Sequence, residues 1–180
     1  MNIPNFLTLM RIFLVPVLVI FLIQGLFFNA LIVFVVAGIT DAVDGFLARI
    51  LKQKTVLGSY MDPLADKALI TSSYVTLAIL GMIPSWLAVI VVSRDFIILF
   101  GISVLSFMSI SFDVRPAFVG KVTTVFQLLS IFSVLMLRYL PGSFYWQLLE
   151  VVYWTTALFT IASGLHYVAK GVKFINNSTG

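Results

Sequence analysis

The chain has no cysteine and a single histidine. The first absence excludes disulfides, thiol catalysis and zinc–thiolate sites. The second leaves His166 unable to support a histidine-rich metal site. Charge is scarce as well. Only 10% of residues are Asp, Glu, Lys or Arg, against about 25% in a soluble domain. No basic run reaches the length that nucleic-acid binding needs, so no nucleic-acid partner is expected. Long linkers, internal repeats and low-complexity stretches are missing too. No small-residue cleavage site stands out near Gly25, and Pro16 interrupts the first apolar stretch, so that stretch reads as a retained span.

What is present is apolar. Hydrophobic residues make up 61% of 180 positions, and the mean hydropathy is +1.14. A spanning helix needs about 20 apolar residues. The chain therefore reads as an all-α polytopic membrane protein, a bundle of six transmembrane helices. The expected helices run over Phe6–Leu26, Asn29–Leu51, Ser59–Leu80, Ser85–Met108, Ala117–Leu140 and Tyr145–Ala169. One membrane domain covers residues 1–175, and a short polar tail covers 176–180. Gly81 with Pro84, and Pro141 with Gly142, punctuate two tight turns. Trp86, Tyr139, Tyr145 and Trp146 fall near helix ends, as an interfacial aromatic belt would.

Basic residues predict the orientation. With a cytoplasmic N-terminus, Arg11, Arg49, Lys52, Lys54, Arg115, Lys121, Lys170 and Lys173 share the cytoplasmic side. Arg138 alone lies opposite. The net charge of +4 suits anionic lipid headgroups.

Against this background stand Asp41, Asp44, Asp62 and Asp66, four of only seven acidic residues. A carboxylate at the bilayer centre costs roughly 3 kcal/mol on insertion scales, and four together repel. Asp41 and Asp44 share one face of the second helix, and Asp62 and Asp66 one face of the third. A short connection makes those helices antiparallel neighbours, so both faces can meet in one cavity. Carboxylates without nitrogen or sulfur ligands specify a hard cation such as magnesium, manganese or calcium. Four negative charges match two divalent ions, the usual device for displacement at phosphorus. Arg49 projects from the sector of Asp41 and Gly45 and can add donors to a phosphate. The same acids could line a cation path, the reading of a small cation transporter. Arg49 with Gly45 and Gly58 argues against it, because a nearby Arg opposes cation passage.

The segment Asp41-Ala-Val-Asp44-Gly45-Phe-Leu-Ala48-Arg49, followed by Gly58, Asp62 and Asp66, resembles the motif D-x2-D-G-x2-A-R-x8-G-x3-D-x3-D of the CDP-alcohol phosphatidyltransferase family. All eight fixed positions match. The opening Asn2-Ile-Pro-Asn5-Phe-Leu-Thr8-Leu-Met-Arg11 and the six-helix layout extend the likeness over nearly the whole chain. The resemblance implies transfer of a phosphatidyl group from CDP-diacylglycerol to an alcohol with release of CMP. It implies two divalent cations, Mg2+ or Mn2+, held by Asp41, Asp44, Asp62 and Asp66, with Asp66 also the general base. Gly45, Ala48, Arg49 and Gly58, with Thr55, would frame the CDP-lipid. It further implies a homodimer, while the basic asymmetry puts the N-terminus and the active site on the cytoplasmic side of the inner (cytoplasmic) membrane.

Two branches of the family are similar to this chain: those that use glycerol 3-phosphate and those that form cardiolipin from phosphatidylglycerol. Gly120-Lys121-Val-Thr123-Thr124 is similar to the first, although that branch usually has Lys where Thr123 stands and Arg-Glu where this chain has Arg94-Asp95. Ser93-Arg94-Asp95, and Lys121-x-x-Thr124-x-x-Gln127 preceded by Arg115-Pro116, look more like the second. Arg94, Arg115 and Lys121 are the candidate acceptor-binding residues. Arg94 beside Asp95 also suits an internal ion pair, and Arg11 either joins the acceptor site or serves as a topology determinant.

Overall fold

The computed structural model describes residues 3–50, 56–107, 118–137 and 144–178. Among them all regular structure is helical. The helices are α1 (Ile3–Ile23), α2 (Phe27–Ile50), α3 (Val56–Ile79), α4 (Ser85–Phe107), α5 (Phe118–Leu137) and α6 (Phe144–Ser178). The order matches the hydropathy reading, and most ends fall within three residues of it.

Two of the ends have a visible cause. Gly25 adopts φ +73° and Gly81 φ +68°, a left-handed conformation that glycine takes without a Cβ clash. At the end of α1, Leu26 N–H donates to the Phe21 carbonyl and Gly25 N–H to that of Leu22. At the end of α3, Met82 N–H donates to Leu77 and Gly81 N–H to Ala78. This paired pattern closes a helix on its own last carbonyls. It stops α1 at Ile23, short of Leu26, although apolar residues resume at Leu26. The last helix does the reverse and runs on through Lys170 to Ser178.

Every helix sets large apolar side chains on its outer face. Phe13 on α1, Phe28 and Ile39 on α2, and Ile79 on α3 are each more than half exposed, and so are Phe96 on α4, Phe118 on α5 and Leu158 on α6. Polar side chains lie within: Arg11, Ser73, Arg94, Asp95, Thr123, Gln127, Thr156, Thr160 and Ser163 are buried. A soluble chain rarely exposes so much apolar surface. Two helical stretches, Phe118–Leu137 and Trp146–Val172, are long and apolar enough to cross a membrane.

The helices group into two compact units. The first holds α1, α2 and α3 with the end of α5, over Met1–Ile83 and Ile131–Pro141. In it α1 packs against both α2 and α3, with Leu18, Leu22, Ala30, Phe34, Leu69 and Leu77 in the core. The second spans Pro84–Ser130 and Gly142–Gly180. There α4 packs on α6. Helix α5 is tied to α6 by Thr123 Oγ1 donating to the Phe159 carbonyl, Thr156 Oγ1 donating to that of Phe126, and Gln127 Nε2 donating to Thr160 Oγ1.

Candidate active site

In the first unit, three helices meet at one guanidinium. Arg11 comes from the first half of α1, on the stripe that also carries Leu18 and Leu22, and is fully buried. Its Nη1 lies 2.7 Å from Asp41 Oδ1 on α2. The same nitrogen donates to Asp66 Oδ1 on α3. The two carboxylates remain half exposed, with side-chain exposures of 49% and 41%. A buried charge without a partner costs several kcal/mol, so α1 can hold Arg11 inside only because α2 and α3 bring acids to it. Thus Asp41 and Asp66, the outer members of the acidic motif, converge from two helices.

Asp44 follows Asp41 by three residues on helical α2, and Asp62 precedes Asp66 by four on α3, which is continuous through Pro63. Their side chains lie outside the described residues. So do the surroundings of Gly45, Ala48, Arg49 and Gly58, although all four sit on helical backbone. Thr55 and Arg115 lie wholly outside. Among the described residues no group of three or more His, Asp and Glu side chains gathers.

The donor chemistry fits a hard divalent ion. Two carboxylate oxygens face a single cationic nitrogen at hydrogen-bond range, and oxygen-only ligation is what magnesium and manganese take. Arg11 balances one of the two charges and leaves the pair net negative.

In the second unit, Arg94 of α4 is buried at the contact with α6. Its Nη1 pairs with Asp95 Oδ1 at 2.6 Å, and its Nη2 donates to Ser163 Oγ at 2.8 Å. The guanidinium lies 5.9 Å from the centre of the Tyr167 ring. Its Nε is buried and has no hydrogen-bond partner among the described residues. Glycines make room for it. A Cβ at Gly164 would stand 3.5 Å from Arg94 Cγ, and one at Gly120 would stand 3.0 Å from the Tyr167 hydroxyl and 3.5 Å from Arg94 Nη2. Lys121, next to Gly120, is exposed. Arg94 is therefore an internal ion-pair partner with one donor to spare.

Sequence reasoning missed two partnerships. The sequence reads Arg11 as an orientation or acceptor-site residue; its place on the stripe of Leu18 and Leu22 marks, in addition, a charge on a buried face. Ser163 continues a polar stripe through Thr156 and Thr160, which had to face a neighbour rather than lipid.

The model of the CDP-alcohol phosphatidyltransferase family matches residues 1–162. A Bacillus subtilis protein named CDP-diacylglycerol–glycerol-3-phosphate 3-phosphatidyltransferase is 30% identical over 98% of both chains. A Mycobacterium tuberculosis protein named probable phosphatidylglycerophosphate synthase is 36% identical over 97% of this chain and 83% of its own length. A Rattus norvegicus protein named cardiolipin synthase (CMP-forming) is 33% identical over 97% of this chain and 63% of its own. With the family model covering most of the chain and the paired helices carrying the family's acidic motif, this chain belongs to the CDP-alcohol phosphatidyltransferase family.

Proposed function

We propose that this protein transfers the phosphatidyl group of CDP-diacylglycerol to glycerol 3-phosphate and releases CMP, in the synthesis of anionic phospholipids. The observation that carries this reading is the convergence of Asp41 and Asp66 from α2 and α3 on one cationic nitrogen. Carboxylates brought together from two helices are what a cation-assisted displacement at phosphorus would use. The name of the Bacillus subtilis relative suggests the substrates.

In this reading Asp41, Asp44, Asp62 and Asp66 hold two divalent ions, Mg2+ or Mn2+, which neutralise diphosphate charge when bound. Gly45, Ala48, Arg49, Thr55 and Gly58 seat the CDP moiety. Arg94, Arg115 and Lys121 bind the acceptor, with Arg94 Nε as the donor left for an anion. Asp66 takes the proton of the acceptor hydroxyl. That oxygen bonds to the lipid-bearing phosphorus, and the bond from this phosphorus to the CMP oxygen breaks.

A second acceptor, phosphatidylglycerol, is favoured by one observation. Thr123 is fully buried and donates to the Phe159 carbonyl in the α5–α6 seam. The position where the glycerophosphate branch usually has Lys is thus a packing position here. Glycerol 3-phosphate is preferred because a relative with that activity in its name, from Bacillus subtilis, is covered over 98% of its length.

We also infer six spans in one membrane domain, with the N-terminus and the active site on the cytoplasmic side of the inner membrane, and a homodimer. Helices α1 to α4 have 21 to 24 residues, about 31–36 Å at 1.5 Å per residue. That length suits a hydrocarbon core of about 30 Å.

The test incubates membranes with labelled CDP-diacylglycerol and Mg2+, offering glycerol 3-phosphate and phosphatidylglycerol in parallel. Acceptor-dependent CMP release and the lipid formed identify the acceptor. Asp66→Asn should abolish release in a folded protein; full activity would remove Asp66 as the base.

A further inference from the structure

Arg11 Nη1 lies between the two acids from α2 and α3 that would hold a cation. It takes Asp41 Oδ1 at 2.7 Å and Asp66 Oδ1 at the same time. A magnesium ion binds carboxylate oxygen at about 2.0–2.1 Å. An ion that used both of these oxygens would crowd Nη1 and face a positive charge in a buried, poorly screened place. We propose that Arg11 competes with the divalent cation for Asp41 and Asp66, and so sets the affinity of the site for its metal. This proposal rests on the reading of those two aspartates as metal ligands.

The competition has a structural logic. Arg11 is fully buried, whereas both carboxylates are half exposed. The guanidinium is therefore confined beneath the acids, and an ion arrives from the exposed side. The fork of an arginine can yield one carboxylate oxygen and keep a donor on the other, so the helix pair stays tied while an ion enters. A neutral side chain at position 11 would leave the acids in place without the rival charge.

The experiment measures Mn2+ binding to the intact chain in detergent by electron paramagnetic resonance. Arg11→Gln should tighten Mn2+ binding on the order of tenfold, the consequence of removing one unit charge at contact distance. Arg11→Lys, which keeps the charge, should stay close to wild type. Unchanged or weaker binding by Arg11→Gln would overturn the proposal and make Arg11 a residue that only positions the acids. A second measurement needs no folded Gln variant. The 15N guanidinium signal of Arg11 in the wild-type protein, identified by its loss in Arg11→Lys, should move as Mg2+ is added; a stationary signal also overturns the proposal. If Asp41→Asn and Asp66→Asn leave Mn2+ uptake unchanged, the metal-site reading itself falls. If they abolish uptake while Arg11→Gln binds no tighter, the competition alone falls.

Discussion

Arg94 joins a structural and a functional role in one side chain, and the two can be separated. Breaking a buried ion pair by removing one partner costs about 3–5 kcal/mol, because the surviving charge stays buried. Replacing both partners by apolar groups avoids that cost. Asp95→Ala should therefore lower the melting temperature in detergent sharply, whereas Arg94→Met with Asp95→Leu should lose much less. The double variant also lacks the Nε donor assigned to the acceptor, so its KM for the acceptor should rise while CDP-diacylglycerol binding persists. An unchanged KM would confine Arg94 to the α4–α6 contact. Ser163→Ala removes only one hydrogen bond to the guanidinium and should cost about 1.5–3 kcal/mol at most. Finding Ser163 required the fold. Its place on a polar stripe was readable, but its partner lies 69 residues earlier in the chain. The partners of Arg11 were hidden for a similar reason: local spacing reports a face, and partners 30 and 55 residues away come only with helix packing.

The helices themselves were far more legible. Apolar runs broken by glycine and proline located all six, because hydropathy and turn chemistry are local. Arrangement was less so. Consecutive order suggested α2 beside α3 but not that α1 packs on both and supplies the cation that joins them. Glycines give a sharper measure of these packings. Gly120→Ala carries a helix-propensity gain of about 1 kcal/mol, opposed by the 3.0 Å approach to the Tyr167 hydroxyl; overpacking typically costs about 1–3 kcal/mol. Gly120→Ala should be neutral or destabilising in the wild-type background and stabilising in Tyr167→Phe, where the hydroxyl is gone. Equal effects in both backgrounds would remove the contact. At the end of α3 the sign is fixed by backbone instead. A Cβ at Gly81 meets no atom within 4 Å, yet φ is +68°. Gly81→Ala should therefore cost about 1–2 kcal/mol in thermal unfolding, and Gly81→Asn less.

Buried polar side chains sit beside an apolar core, and every helix also exposes large apolar side chains. This ordering suits a lipid solvent, in which interhelical hydrogen bonds and close approach replace the hydrophobic drive between helices. It also bears on how many helices cross. Among the described residues two stretches, on α5 and α6, qualify as spans by length and composition. Helices α1 to α4 carry the motif acids, Arg11, Arg94 and Asp95; the inward placement of Arg11, Arg94 and Asp95 removes those three charges from lipid. The absence of native cysteine gives a clean test by single-cysteine labelling with a membrane-impermeant maleimide. Six spans put Lys54→Cys and Lys173→Cys on the cytoplasmic side, and Ser85→Cys and Gly142→Cys on the other. Two spans through α5 and α6 alone would leave Ser85→Cys with Lys54→Cys. The eight basic residues on one side against Arg138 on the other predict the first pattern. Labelling of Ser85→Cys from the cytoplasmic side would remove α3 as a span, and with it the placement of Asp66 at a membrane-embedded site.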